Sequence, residues 1–584
     1  MTPSGYWLTL VFLPPLLLAL TLIIFPRLRR TAMELAPWAA LPALLIALPP
    51  WQFGPARLPG LLLGTQIGLD ETGRAFLLLS ALVWWASGRY ARNRFAQAER
   101  PGFFVFFLLA MAGNFGAIIA GGILSFYFSF ALMSFAAYGL VIHDGGAQAL
   151  RAGRVYIVLV VLGELLLLSA LMLAANGAPS YDFDTIRAAA AVSAQRDWIV
   201  LLTVTGLGIK IGLPGLHFTL PLIYRAAPIP AAAAMAGAMI NAGLLGWLRL
   251  LPLGQVALPQ WGLALMVLGL FAAFYGVLVG LTQRDAKTLL AYSSISQLGL
   301  MSFAVGVGLG SPQAWPPILL LITLYAVHHG LAKAALFIGI DVVQGSTDVP
   351  HWRGLAALGV LLPALTLAGA PLTSGMLTKT LLKTQAGLAP PPWPELLAWL
   401  LPLSSLATTL LVARFLYLAW PRPGRPAASR IKGDMVFSWG LLLATSLALV
   451  WFLPGPEVDL VSMSVWWASL WPVATGAAIA FIVAKGALRK KITIPEIPPG
   501  DLLVPLESAI KSLREAATGL TLQQLPRWQE RLMNVGAHFM PRGDWRAPLA
   551  FLEKRLTATQ MAIVALVLLI LVLFALTLIT TSRI

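Results

Sequence analysis

The chain has 584 residues, of which 59% are hydrophobic and 11% charged, and its mean hydropathy is +0.82; so little polar surface cannot cover a water-soluble globule of this size, which excludes soluble-enzyme readings and points to a bilayer. The net charge of +17 does not indicate nucleic acid, because the Lys and Arg sit in short loops between apolar runs, where they set membrane topology. With no cysteine there is no disulfide, no cysteine-ligated iron–sulfur cluster and no c-type haem attachment, so any redox chemistry belongs to a partner.

At about 20 apolar residues per crossing, spans are expected near 5–26, 33–51, 72–92, 101–120, 121–143, 154–176, 198–214, 228–250, 257–282 and 287–308. More are expected near 317–343, 354–384, 393–420, 435–454, 464–487 and 557–581, giving an all-α polytopic membrane protein of about 14–16 transmembrane helices. The first run, Tyr6 to Phe25, lacks a basic leader and reads as a retained helix. The 52 Gly and 42 Pro point to close helix packing and broken helices, and the 20 Trp fit interfacial belts.

One alternate set of loops carries Arg27, Arg29 and Arg30, then Arg89, Arg92 and Arg94, then Arg151 and Arg154. It continues with Arg422, Arg425, Arg430, Lys432, Arg489, Lys490 and Lys491, which predicts a plasma-membrane protein with its N-terminus outside and these loops cytoplasmic. From 488 to 556 the pattern changes. After Pro495, Pro498 and Pro499, the residues Leu502, Leu506, Ala509, Leu513, Ala516 and Leu520 form one helix face, and Trp528, Leu532, Val535 and Phe539 form another. This reads as an amphipathic arm on the membrane or as a cytoplasmic linker resting against it, followed by an anchor helix at 557–581.

Ionisable groups inside spans are costly and mark pathways or partners. Lys210 lies in Thr205-Gly-Leu-Gly-Ile-Lys210-Ile-Gly-Leu-Pro214-Gly-Leu-His217, a Gly/Pro-interrupted run that frees carbonyls at membrane depth. The competing reading is a lysine snorkelling from a short helix. His217 reads equally as a relay or as an interfacial cap. In His328-His329-Gly-Leu-Ala-Lys333, His329 and Lys333 are four apart and share a helix face, as stepping stones for a proton or as a structural pair. A second broken segment, Gly369-Ala-Pro371-Leu-Thr-Ser-Gly375-Met-Leu-Thr-Lys379, echoes the first. Lys383 and Lys287 are expected to reach the interface. Glu164 is the carboxylate deep in the first half and the natural counter-charge for Lys210; Arg414 reads as a further buried cation without an evident partner. There is no nucleotide-binding glycine loop and no metal-spaced ligand set, so no cofactor and no metal are expected.

Together these motifs resemble the antiporter-like membrane subunits shared by respiratory complex I, multisubunit sodium/proton antiporters and group 4 membrane-bound hydrogenases. The resemblance rests on Lys210 with His217, Leu220-Pro221 and Ala227-Pro228; on Asp285-Ala-Lys287 through Gln297-Leu-Gly; on His329-x3-Lys333-x2-Leu-Phe; and on Gly-x-Pro-x3-Gly-x3-Lys379. It implies two inverted five-helix repeats at 101–250 and 257–420, after N-terminal helices at 1–100 and before further helices at 421–487, the arm at 488–556 and the anchor at 557–584. It also implies a mid-membrane axis of Lys210, Lys333 and Lys379 that moves protons or sodium ions beside other membrane subunits of a complex I-like, hydrogenase-like or antiporter assembly. The chain would then have no redox or hydrolytic site of its own. One departure stands out: the family's usual Trp-Glu-Leu-x-Ser-like stretch reads Phe130-Ala131-Leu-Met-Ser134, and its frequent His or Lys is Met235 here. Either Glu164 takes over the pairing or the first half no longer conducts. The rival readings are a membrane subunit of an inorganic-carbon uptake complex with a zinc-bearing soluble partner, a non-conducting scaffold, and a stand-alone solute transporter, which would need a midplane pocket.

Overall fold

In a computed structural model the described residues are 3–505 apart from 50, 52, 59–63, 97–98, 346–349, 421–432, 453–461 and 491–495, together with 508, 509 and 512. The expected arm beyond 512 and the anchor helix at 557–581 lie outside the described residues.

The described residues are mostly helical, with a small antiparallel hairpin. Helix α1 (Pro3–Ile24) leads through two short helices, α2 (Arg29–Leu35) and α3 (Leu41–Ala47), to an antiparallel pair, β1 (Ala56–Leu58) and β2 (Thr65–Ile67), in which Arg57 faces Gln66. Then come α4 (Glu71–Arg94), α5 (Arg100–Ile119), α6 (Ile123–Val141), α7 (Ala147–Ala175), the short α8 (Phe183–Val192), and α9 (Arg196–Ile211). A break follows, and α10 (Thr219–Ala226), α11 (Ile229–Ala234), a π turn (Met235–Met239) and α12 (Ile240–Leu250) complete the first half. The second half holds α13 (Pro259–Thr282), α14 (Ala286–Gly310), α15 (Trp315–Gly345), α16 (Pro350–Ala368), a second break, α17 (Ser374–Ala386) and α18 (Trp393–Ala419), with α19 (Gly433–Phe452) and α20 (Met463–Lys490) outside it.

Among the described residues, ten helices are long and apolar enough to cross a bilayer, and Arg353–Ala368 and Gly433–Ala448 are shorter apolar helices. The single span expected near 354–384 is two helices, α16 and α17, because Gly369 takes a left-handed backbone (φ 85°) and Leu372 follows at φ 62°. The span expected near 198–214 likewise ends early, at Ile211, where Gly212 caps α9 in the left-handed region (φ 77°). Only glycine enters that region without a steric penalty.

At the C-terminal end of α4, the basic end, three arginines form ion pairs with acids of other helices. There Arg92 pairs with Glu34 and with Asp434 of α19, Arg89 also holds Asp434, and Arg94 pairs with buried Asp341 of α15, which accepts from Tyr90 as well. At the opposite end Asp70 caps α4 through Gly73 N and receives both terminal nitrogens of Arg249, at 2.7 and 2.5 Å.

Helices α13 and α14 meet along a glycine seam. Gly262, Gly269 and Gly276 recur every seven residues on α13 and lie against Gly306, Gly299 and the Tyr292–Ser296 backbone of α14. A Cβ on Gly269 would stand 2.5 Å from the Gly299 carbonyl oxygen and 2.6 Å from Phe303 N, so the helices touch backbone to backbone. That is how membrane helices gain packing where the hydrophobic effect offers little drive. Gly269→Leu is therefore expected to cost about 1–3 kcal/mol by overpacking, read as a lower melting temperature and lower monodisperse yield in detergent, whereas Leu263→Phe on the exposed face of the same helix leaves both unchanged.

Candidate functional site

The first break brings three charged or polar helices together. Lys210 stands in the last turn of α9, half-buried, with its Nζ 3.3 Å from the Tyr156 hydroxyl and 3.5 Å from Ser134 Oγ. The ammonium also lies 5.8 and 5.7 Å from the ring centres of Phe130 and Tyr156, within cation–π range. Tyr156 in turn donates to the Ser134 carbonyl at 2.9 Å. Glu164 is buried on α7, near enough for its charge to act on Lys210 and for its carboxylate to meet the Ser134 hydroxyl. Close approach of α7 to α9 makes this possible: a Cβ on Gly163 would stand 3.0 Å from the Gly206 carbonyl.

Beside Lys210 lies a cavity of about 30 Å³ lined by Tyr156, Tyr224 and Met235 among others, room for one or two waters. Met235 opens the π turn, and π turns inside helices often mark functional sites. The same turn backs onto α15, because Gly237 and Gly330 pack so closely that a Cβ on Gly237 would stand 2.9 Å from the Gly330 carbonyl. Gly330 follows His329 directly, so the two halves touch at this joint.

In the second half, Lys333, His328 and His329 are all fully buried on α15. Lys333 Nζ donates to the Leu290 carbonyl at 2.8 Å, and His328 Nδ1 lies 2.9 Å from Ser374 Oγ at the start of α17. Both ring nitrogens of His329 are buried without a protein partner, a costly arrangement that needs an explanation. Across the second break, half-buried Lys379 donates to the Ala368 carbonyl at 2.8 Å and to Ser405 Oγ at 3.1 Å. Gly369 is needed here for approach as well as for backbone, since a Cβ on it would stand 2.8 Å from Lys379 Cδ. A buried polar chain joins α15, α14 and α18: Tyr325 donates to Gln297 Oε1 at 2.8 Å, and Gln297 Nε2 reaches Thr408 Oγ1 at 3.4 Å.

The remaining sequence candidates fall elsewhere. Lys383 is exposed. Lys287 is half-buried near the basic end and donates to the Ala227 carbonyl at 2.8 Å. Arg414 was expected to be buried and unpartnered; it is half-buried, donates to the Gln283 carbonyl at 3.0 Å and lies 5.5 Å from the Tyr417 ring centre. The free carbonyl at the end of α13 is what satisfies it.

His217 is not alone. It is buried in the loop between α9 and α10, and its Nε2 lies 3.2 Å from both carboxylate oxygens of Asp501. Asp501 arrives on the segment after α20, and its carboxylate also accepts from the Tyr275 hydroxyl at 2.5 Å and the Tyr292 hydroxyl at 3.0 Å. Leu502 is exposed, while Leu503 and Asp501 turn inward. The sequence signal for this segment was weak, one acid after Pro498-Pro499-Gly500 with no periodicity of its own.

Burial alone would raise the Asp501 carboxyl, but the hydrogen bond and charge of His217 and the Tyr275 hydroxyl hold it below the ordinary carboxylate range. A group whose folded value is depressed stabilises the fold above its unfolded value, about 3.9, and loses that contribution as pH falls through the folded value. The melting-temperature gap between the parent chain and Asp501→Asn is therefore expected to be full at pH 7 and to close below about pH 4, as followed by thermal unfolding in detergent.

Residues 120–389 match the family model described as NADH:quinone oxidoreductase/Mrp antiporter, TM. Hydrogenase-4 component B of Escherichia coli (strain K12) is 31% identical over 242 residues, covering 40% of this chain and 36% of that protein. NADH-quinone oxidoreductase subunit N of Chromohalobacter salexigens is 28% identical over 54% of this chain and 68% of its own, and a putative antiporter subunit mnhA2 of Staphylococcus epidermidis is 28% identical over 55% and 43%. The chain thus spans only about a third to two thirds of these relatives' lengths. In fold it is similar to a chain in a structure of the Mrp complex from Dietzia sp. DQ12-45-1b, with a TM-score of 0.74 at 20% identity, over 90% of this chain and 61% of that one. Residues 120–389, somewhat under half of the chain, match that family model of antiporter-like membrane subunits, and the chain is a multi-pass membrane protein.

Proposed function

We propose that this chain is a member of the antiporter-like family and translocates protons or sodium ions across a plasma membrane as one subunit of a multisubunit complex, along a line of ammonium groups formed by Lys210, Lys333 and Lys379. The observation that carries the reading is Lys333 with His328 and His329: a lysine and two imidazoles fully buried in the middle of a membrane helix, with both His329 nitrogens unpartnered. A structural core has no use for such groups, whereas a proton or cation path requires them. Lys210 and Lys379 stand at the two helix breaks on either side, and residues 101–250 and 257–420 are read as inverted repeats that each contribute one break. The basic end, held by Arg89, Arg92 and Arg94, is assigned to the cytoplasm.

The chain itself supplies a path, and the driving reaction is assigned to neighbouring membrane subunits, as the names of relatives from hydrogenase, quinone oxidoreductase and antiporter systems suggest. When a neighbour changes the charge beside one lysine, poorly screened Coulomb coupling shifts the next one's proton affinity.

A second reading is favoured by Ala131 and Met235, which place uncharged side chains where the family's usual pattern carries ionisable ones. In it the first half is a brace and conduction runs through Lys333 and Lys379 alone. Proton uptake by vesicles carrying the assembled complex separates the two. Full translocation requires that Lys210→Met, Glu164→Gln, Lys333→Met and Lys379→Met each lower the initial rate about tenfold or more, roughly 1.4 kcal/mol or more on the barrier, with assembly intact. Normal pumping by Lys210→Met and Glu164→Gln, with loss in the other two, selects the brace; normal pumping by Lys333→Met and Lys379→Met ends the proposal.

A further inference from the structure

The segment 496–505 lies along the bundle with most of its residues exposed, but it turns Gly500, Asp501 and Leu503 inward. Gln283 Nε2 donates to the Ile497 carbonyl at 2.9 Å, Ile497 N reaches Thr282 Oγ1 at 3.3 Å, and Arg284 pairs with Glu496 at 3.2 Å, so the segment is fastened to the end of α13 at the rim. From there Pro498 and the left-handed Gly500 (φ 84°) fold it into a tight turn, with Asp501 N donating to the Pro498 carbonyl at 2.8 Å and Leu503 N to the Gly500 carbonyl at 2.6 Å. The turn delivers the Asp501 carboxylate between α13, α14 and the α9–α10 break, against Tyr275, Tyr292 and His217. Gly500 rests over Leu222 of α10.

A plain tether would not need this chemistry. Burying a carboxylate costs several kcal/mol unless it is fully hydrogen-bonded, and an apolar side chain in the same turn would dock without that cost. The imidazole is also used on one side only: Nε2 is committed to Asp501, while Nδ1 is buried without a partner. His217 is seven residues along the chain from Lys210, across the break.

Resting on the translocation reading above, we propose that Asp501 is a proton-loading group of the first half, and that the 496–505 turn carrying it closes the basic end of that half as a tethered stopper. In the step this implies, a proton arriving on the Asp501 carboxylate passes to His217 Nε2, breaking the O–H bond and forming an N–H bond. The imidazolium then gives up its Nδ1 proton towards an uncharged Lys210 amine, which becomes ammonium. One proton moves inward and no electrons are exchanged. The groups that face the carboxylate are His217, Tyr275 and Tyr292, with the Arg284–Glu496 pair at the rim.

The chain has no cysteine, so a single one reports on the stopper. Vesicles exposing the basic end and carrying the assembled complex are assayed for proton translocation across a pH series, and Leu222→Cys is labelled with a membrane-impermeant maleimide, each with and without Asp501→Asn. The expected result is a loss of about tenfold or more in rate for Asp501→Asn, recovery with a displaced pH profile for Asp501→Glu, and faster labelling of Leu222→Cys once Asp501 is Asn. Undiminished pumping by Asp501→Asn while Lys210→Met is inactive overturns this inference and leaves the translocation reading standing; undiminished pumping by Lys210→Met overturns it together with the role of the first half. Equal loss in Asp501→Asn and Asp501→Glu, with an unmoved profile and unchanged labelling, marks the turn as a brace and overturns it too. Should Asp501→Asn not assemble, Tyr275→Phe removes one donor and keeps the ring: a displaced pH profile supports the inference, and an unmoved one refutes it.

Discussion

A cation at membrane depth must find backbone carbonyls, and carbonyls are free only where a helix ends. This constraint organises the structure. Lys379 reaches the carbonyl of Ala368, the last residue of α16; Lys287 reaches Ala227, just past α10; Arg414 reaches Gln283, just past α13. Lys210 occupies the last turn of α9. The first three meet both an orphan acceptor and the negative end of a helix dipole, two favourable terms that a mid-helix site lacks, while Lys210 has the helix end but is held by the hydroxyls of Tyr156 and Ser134. Lys333 is the exception: the Leu290 carbonyl it uses lies inside α14 and also receives the Ser294 hydroxyl. Of these lysines, Lys333 is thus the one without a helix end and also the fully buried one, beside two imidazoles.

The breaks themselves were legible. Gly/Pro interruptions in apolar runs are strong signals, and both lysine-bearing breaks lie where such runs are interrupted. The glycine seam was legible in principle too, since Gly262, Gly269 and Gly276 repeat at seven and Gly299 and Gly306 answer them. What did not show was any contact made by a residue with ordinary local meaning. Tyr275, Tyr325 and Thr408 look like unremarkable members of apolar helices, Tyr292 and Gln297 stand out only as parts of a longer motif, and the packing of α13, α14, α15 and α18 is what brings their partners to them. Asp501 is the extreme case, because its partner His217 is 284 residues earlier and nothing in either neighbourhood names the other.

The arginines illustrate why some readings needed three dimensions. Counting basic residues in alternate loops sorts them to one side, yet Arg89, Arg92 and Arg94 are not merely loop charges. They clasp Glu34, Asp341 and Asp434, tying α2, α15 and α19 to α4. Exposed pairs of this kind contribute little each, and Asp434 is substantially exposed, so their weight lies in fixing where α19 docks more than in stability. By contrast Arg94 meets an Asp341 that is 7% exposed, and removing the arginine there strands a buried carboxylate.

The joint between the halves deserves the final step of argument. Met235 and Gly237 belong to one π turn: the first borders the cavity beside Lys210, and the second presses its backbone against Gly330, next to His329. A π turn carries one residue more than an α-helical turn needs, so it can relax or migrate along the helix at modest cost, whereas the straight α15 it leans on cannot. A change of charge at Lys210 that altered the hydration of that cavity would press first on Met235, then through two glycines with no side chains to absorb it, and so on the backbone that positions His329 and Lys333. Because there is no Cβ on either side of the contact, bulk introduced at Gly237 or Gly330 would push α15 away from the π turn, and with it the backbone that carries His329 and Lys333.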